Sequence, residues 1–363
     1  MVEGVALAAG LTIGLSSLLW SQALIAEVYA PAAFFTALLV VLVLRRSSAW
    51  LLGLVWGVGM GVHLTLAFLA PLVAWEIWSD RGKRLRRSVE AGLATFLVLG
   101  VMYGPVLLAR DGVPSPWADV GTLSGWWALV SGRLYRGYLF GLPLIAYPQR
   151  LLAWAGLLAR QLTPFGAVLA ALGWVHLRRA CRSLALVSVL AFGVFSLYAV
   201  AYDTADSLVY LVPALPLTAL WLGVGFWRAA GWLDRRLRRG AWAILILPMF
   251  QVLFSWGSMD VSEDWTAMGW AEQVMEEAPS HAILLAAQDA HTFTLWYAHD
   301  VLGWRQDVVA VDQDMWWHEP YRRAMIGELG IEIASSALSV EEAAHRAGRP
   351  VVYVSDQLGQ EKP

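Results

Sequence analysis

A single cysteine, Cys181, in 363 residues leaves no internal disulfide and hints at no metal cluster. Charge is equally scarce. Asp, Glu, Lys and Arg make up 15% of the chain, against about a quarter in soluble domains, while 58% is hydrophobic. No GxGxxG, Walker, HExxH or GxSxG sequence occurs, so soluble nucleotide chemistry and metalloprotease chemistry find no support. MVEG carries no basic residue and no small-residue cleavage site closes the first apolar run, so a cleavable signal peptide is not expected. What is present is a series of long apolar runs with 21 tryptophans. The solvent implied is lipid.

The formal net charge of -2 says little, because the cations are segregated. They gather at Arg45–Arg46, from Arg81 to Arg87, at Arg178, Arg179 and Arg182, and from Arg228 to Arg239. Such clusters between apolar runs mark cytoplasmic loops. Threading the runs through them gives spans at 4–23, 30–44, 88–108, 163–177, 183–201, 208–228 and 241–257. The stretch from Ala49 to Trp78 has basic clusters at both ends, so it reads as a hairpin of two short helices bent at GVGMGVHLT. The expectation is a polytopic α-helical membrane domain, residues 1–257, with about nine spans, its N-terminus inside and its last span ending outside.

Two segments depart from this pattern. Residues 110–163 are too polar to span and too rich in Trp, Tyr and Leu for water, which fits amphipathic helices in the outer interface. Within them SGRLYRG sets Arg133, Tyr135 and Arg136 on the outer face against the charge trend, as if to hold an anion. Residues 258–363 read as a small water-soluble α/β unit outside the membrane. HAILLAA, QDVVAVD and PVVYVSD look like buried parallel strands, with helical periodicity at 291–303 and 316–329. The chain stops just after the last strand, so the unit is expected to be incomplete. Asp289, Asp307 and Asp312 near its strand ends read as structural.

The same threading brings Glu27, Tyr29, His63, Arg133, Tyr135, Asp203 and Asp206 to one side of the membrane. Each alone fits a solvated loop residue, and His63 fits a helix cap equally well. Together they fit a shared site at the outer boundary. A carboxylate against an apolar wall serves as a general base, or binds a divalent cation that neutralises a phosphate. Arginine grips phosphate through its planar fork. A divalent cation is thus the one cofactor considered, its ligands open, and no nucleic acid is expected among the partners.

WSQALIAEVYAPAAFFTALL, GVGMGVHLTLAFLAP, SGRLYRG, DTADSLVYLVPALPL and LWYAHDVLGWRQDVVAVD occur in this order. Together they resemble the multi-spanning proteins of the domain-of-unknown-function 2723 family, the protein O-mannosyltransferase-like group that includes transmembrane protein 260. That group is similar to GT-C glycosyltransferases. The resemblance implies a polyprenyl-phosphate sugar donor, often of mannose, and a protein or glycan hydroxyl as acceptor. It implies a bacterial inner membrane or endoplasmic reticulum location, with the C-terminal domain on the periplasmic or luminal side. Residue by residue it places Glu27 and Tyr29 at the donor or acceptor site, His63 in the same cavity, Arg133 and Tyr135 on the phosphate side, and Asp206 in the outer turn. The family's catalytic aspartate, in an Asp-Ser-Gly-Glu-like first outer loop, has no counterpart before Glu27. The expectation is therefore a chain lacking the first span and catalytic loop, either a truncation or a remnant that needs a partner. Among the candidates Glu27, His63 and Asp206 stand as catalytic, with Tyr29, Arg133, Tyr135, Arg136 and Asp203 as substrate-binding. A transporter or lipid flippase, and a non-catalytic scaffold binding a partner through its outer domain, remain the alternatives.

Overall fold

The computed structural model describes residues 2–108, 117–235, 240–329 and 339–354. Part of the expected interfacial segment (109–116), of the last basic cluster (236–239) and of the last expected strand (355–356) lies outside the described residues. The helices in chain order are α1 (Val2–Gly14), α2 (Ser17–Ala23), α3 (Tyr29–Leu44), α4 (Ala49–Val62), α5 (Ala70–Ile77) and α6 (Arg84–Leu108). They continue with α7 (Leu123–Val130), α8 (Tyr147–Ala180), α9 (Arg182–Ala201), α10 (Leu215–Asp234) and α11 (Ile246–Met259). Last come α12 (Thr266–Glu277), α13 (Asp289–Trp296), α14 (Glu319–Glu328) and α15 (Val340–Ala347). The chain divides into two compact units, residues 1–105 with 135–261, and residues 106–134 with 262–363.

Among the described residues, four helices are long and apolar enough to cross a membrane: Arg81–Leu107, Leu144–Ala180, Arg182–Ala201 and Ser207–Asp234. A fifth results if α1 and α2, bent by 68°, count as one span. This is fewer than the nine expected. The reason is length: Tyr29–Leu44, Ala49–Val62, Leu64–Ile77 and Ala243–Met259 are apolar but only 10–17 residues long. At 1.5 Å per residue they fall short of a hydrocarbon core of about 30 Å.

The first unit packs through small residues, as expected where lipid removes the hydrophobic drive between helices. A Cβ on Gly173 of α8 would lie 1.9 Å from the Trp221 carbonyl oxygen of α10, and one on Gly225 would lie 2.2 Å from that of Leu169. Gly53 of α4 meets Ala91 of α6 in the same way, and the Thr95 hydroxyl donates to its carbonyl at 3.0 Å. At His63 the chain turns back, so that the Trp56 indole N–H donates to the Leu66 carbonyl at 2.8 Å.

Two helices are broken, and the breaks are joined. Pro164 lacks an N–H, and Thr163 before it takes φ 59° and ψ 157°, which kinks α8 at the place where a span was expected to begin. The freed Gln161 carbonyl accepts the Gln251 side-chain N–H of α11 at 2.8 Å. The buried Gln161 side chain accepts the Leu18 backbone N–H at 2.7 Å and so caps α2, because the Ser16 hydroxyl is turned to the Ile13 carbonyl. Backbone groups released by a break in an apolar segment require such partners.

A second polar element ties the basic clusters together. Glu76 on α5 is fully buried, and its carboxylate accepts from Arg46 at 2.6 Å and from Arg87 at 2.9 Å. Arg46 also lies over the Trp75 ring.

The second unit contains a parallel sheet of β1 (Ile283–Ala286), β2 (Val309–Asp312) and β3 (Val351–Val354), ordered β2-β1-β3. Ile283 is in register with Val309 on one side and Val351 on the other. α13 crosses from β1 to β2, while α14 and α15 return the chain to β3, as parallel pairing requires. Trp117 is held to this unit by its carbonyl, 2.8 Å from His318 Nε2. Asp312 is buried and saturated by the Thr292 hydroxyl and the Met315 N–H, which makes it a structural group.

Asp307 is structural as well. Arg305 pairs with it and also donates to the carbonyls of Met275, Ala278 and Pro279. The Arg305 guanidinium and the His281 backbone N–H hold the Asp307 carboxyl well below its ordinary value of 3.8. The ionised form is favoured in the fold, so its stabilising effect is complete above about pH 4 and is lost as pH falls through the lower folded value. Melting temperatures of wild type and Asp307→Asn should therefore differ most at pH 5 and converge towards pH 2.

Candidate functional site

The sequence sets aromatic side chains around two acidic turns, and the first unit brings them together. Tyr29 opens α3 directly after the Glu27 loop, and His63 closes α4. Tyr198 and Tyr202 stand one helical turn apart at the end of α9, and Tyr210 lies on the 3-10 turn Ser207–Ala214. Ring centroids are 5.4 Å apart for Tyr29–His63, 5.7 Å for Tyr29–Tyr210 and 5.9 Å for His63–Tyr210. Tyr198, Tyr202 and Tyr210 lie mutually within 5.0–5.1 Å. Phe68 and Tyr138 extend the cluster at 5.3 Å from Tyr198 and 5.6 Å from Tyr202.

Backbone pairing fixes one wall. Leu139 and Tyr202 form an isolated antiparallel bridge, in which the Phe140 N–H donates to the Ala201 carbonyl and the Asp203 N–H to the Tyr138 carbonyl, both at 2.9 Å. His63 Nδ1 accepts the Thr65 backbone N–H at 3.3 Å and lies 2.6 Å from the Thr65 hydroxyl. That bond caps the local turn and leaves Nε2 carrying the proton in the neutral ring. His63 thus caps a turn while its ring lies against Tyr29 and Tyr210.

Glu27 and Asp206 both lie close enough to the Tyr29 hydroxyl to act on it electrostatically. Glu27 is exposed, as are Asp203 and Asp206. Tyr135 and Arg136 belong to this unit and are exposed, whereas Arg133 falls in the other unit. Arg133 and Arg136 make no ion pair among the described residues. No three His, Cys, Asp or Glu side chains among the described residues gather closely enough to hold a metal ion. The carboxylates present do not fit a three-ligand cation site.

Sequence reasoning missed Tyr198, Tyr202, Tyr210, Arg150 and Glu76. The pair Tyr198–Tyr202, at helical spacing directly before the acidic turn, was a readable signal. Arg150 stands in sequence among loop residues, and Glu76 ends an apolar run with nothing local to mark its partners Arg46 and Arg87.

One end of an apolar groove lies beside this cluster. The groove, about 750 Å³, runs between α1, α3 and α10 from Ala30 to Leu44, and Ala30 directly follows Tyr29. Gly10 and Gly14 leave it open, because a Cβ on either would meet nothing within 4 Å.

Residues 1–86 match the family described as the protein O-mannosyl-transferase TMEM260 N-terminal domain. The matched stretch contains Glu27, Tyr29 and His63, and also Arg46 and Glu76. No curated protein and no solved structure matches the chain.

Proposed function

We propose that this chain is an O-mannosyltransferase-like membrane glycosyltransferase. One observation carries the reading: the family match falls on the stretch that supplies Glu27, Tyr29 and His63 to the aromatic cluster. Its donor is a sugar on a polyprenyl phosphate, and its acceptor a hydroxyl of a protein or glycan on the periplasmic or luminal side.

The residues divide the work by chemistry. Phenol faces of Tyr29, Tyr198 and Tyr210, backed by buried Tyr202, take the apolar side of a pyranose, while their hydroxyls hydrogen-bond its polar edge. Glu27 is the base. The acceptor oxygen bonds to the anomeric carbon, the carbon–oxygen bond to phosphate breaks, and the acceptor proton passes to the carboxylate. The phosphate departs with the bonding electrons. Asp206 and Asp203 flank the acceptor side, and His63 Nε2–H donates to the sugar. Exposed Arg136, next to Tyr135, steers the anionic donor towards the cluster. The donor's apolar tail lies in the groove, whose run along α3 from Ala30 to Leu44 spans about 20 Å.

The test is transfer itself. Liposomes holding the full chain, polyprenyl-phosphate mannose and a serine/threonine peptide should yield peptide heavier by one hexose. A second reading, lipid or solute transport, is favoured by the two broken helices. Movement of labelled donor between leaflets without peptide modification would select it instead.

A further inference from the structure

Arg150 sits near the start of α8, half-buried, and its guanidinium holds the acidic turn. Nη1–H donates to the Ser207 hydroxyl at 2.9 Å and Nη2–H to the Thr204 carbonyl at 2.7 Å. Both acceptors are neutral. No carboxylate among the described residues pairs with it, although Asp203 and Asp206 share the turn. Removing a charge from water calls for a counter-charge. Elsewhere this unit obeys the rule, since Arg46 and Arg87 meet on Glu76. Arg150 breaks it.

Two more polar groups at the same place lack partners among the described residues. Trp154 lies one helical turn after Arg150, on the same face of α8, and its indole N–H is buried and unbonded. The Thr204 hydroxyl, on the residue whose carbonyl Arg150 holds, is also buried and unbonded. A guanidinium has five N–H groups and two are used here, so three remain. Two unbonded polar groups thus adjoin a cation without a counter-charge among the described residues, one a helical turn along α8 and one on the residue that Arg150 holds. An anion with several oxygens satisfies all of them at once, and the planar fork suits a phosphate.

We propose that Arg150, Trp154 and Thr204 form a phosphate-binding site. Trp154 and Tyr210 pack against the same apolar cluster, which sets the site beside the tyrosines. Its identification with the phosphate of the sugar donor rests on the transferase reading above, and Arg150 then stabilises the leaving group while Arg136 only steers it. The anion site itself does not depend on that reading.

Binding to the full chain in phosphatidylcholine nanodiscs, followed by tryptophan fluorescence, separates the two. Farnesyl phosphate should bind wild type about 30-fold more tightly than farnesol, the same tail without the phosphate. Arg150→Gln should reduce that preference to about threefold and leave farnesol affinity unchanged, which also reports an intact fold. Trp154→Phe, which removes one N–H and little volume, should cost about fivefold in the same preference and decides the matter if the arginine variant fails to fold. An unchanged preference in the variants, or no preference in wild type, overturns the site. Displacement by millimolar inorganic phosphate or by phosphatidylglycerol keeps the site but overturns its link to the donor. Resistance to both supports that link. Loss of preference in Arg150→Gln without sugar transfer by wild type leaves the site standing and removes only the enzyme.

Discussion

Glu27→Gln should lower the rate of sugar transfer at saturating donor by at least about 100-fold, within the range general base catalysis contributes. The amide keeps the size and hydrogen-bonding oxygen of the carboxylate but cannot accept the acceptor's proton. Donor affinity should hardly change, because the variant leaves Arg150, the tyrosines and the groove intact. The loss should therefore fall on kcat and not on donor KM. The exposed setting of Glu27 leaves room for an acceptor to approach it directly. Single-turnover transfer from labelled donor, compared between wild type, Glu27→Gln and Asp206→Asn, measures this. A wild-type rate in Glu27→Gln with a collapse in Asp206→Asn would move the base to the other acidic turn.

Glu76→Ala should destabilise the first unit by about 3–5 kcal/mol, the usual result of removing one member of a buried ion pair. The carboxylate is fully buried and holds two guanidinium groups from different parts of the chain. Without it Arg87, mostly buried, is left with an uncompensated charge, and its Nε already lacks a partner among the described residues. Arg46 is more exposed and should recover hydration, so Arg87 dominates the cost. Thermal unfolding in detergent should show a large drop for Glu76→Ala. The drop should be smaller for Glu76→Gln, which keeps an acceptor. Restoring neutrality with Arg87→Met in the Glu76→Leu background should recover much of it. Equal melting temperatures for wild type and Glu76→Ala would mean that the triad contributes nothing.

Much of the fold was legible where the chain's own pattern is local. The strands appear inside the apolar runs HAILLAA, QDVVAVD and PVVYVSD; the first two are buried on both faces and need no alternation, while the third leaves Tyr353 exposed. The turn at His63 followed from a basic cluster at each end of one run. Span count was less legible, because hydropathy weighs composition, whereas crossing also needs length and a straight path. The shortness of α3, α4, α5 and α11 was already present in the runs 30–44, 49–78 and 241–257, whereas the 68° bend after α1 carries no hydropathy signal. The site shows the same division. Acidic turns and Tyr29 stand out as polar points in apolar sequence, but Tyr198, Tyr202 and Tyr210 read as ordinary interfacial aromatics until the helices bring them face to face. Arg150 has meaning only through Thr204 and Ser207, more than fifty positions away.

Gln161, through its side-chain oxygen and its backbone carbonyl, also bears on biogenesis. Its two partners are separated by most of the membrane sequence, with Leu18 near the beginning and Gln251 near the end. During synthesis α2 can emerge from the ribosome early yet stay without its cap until α8 has inserted, and α8 keeps an open carbonyl until α11 follows. The loop bearing Glu27 therefore settles only after α8 and α11, although it is made before both.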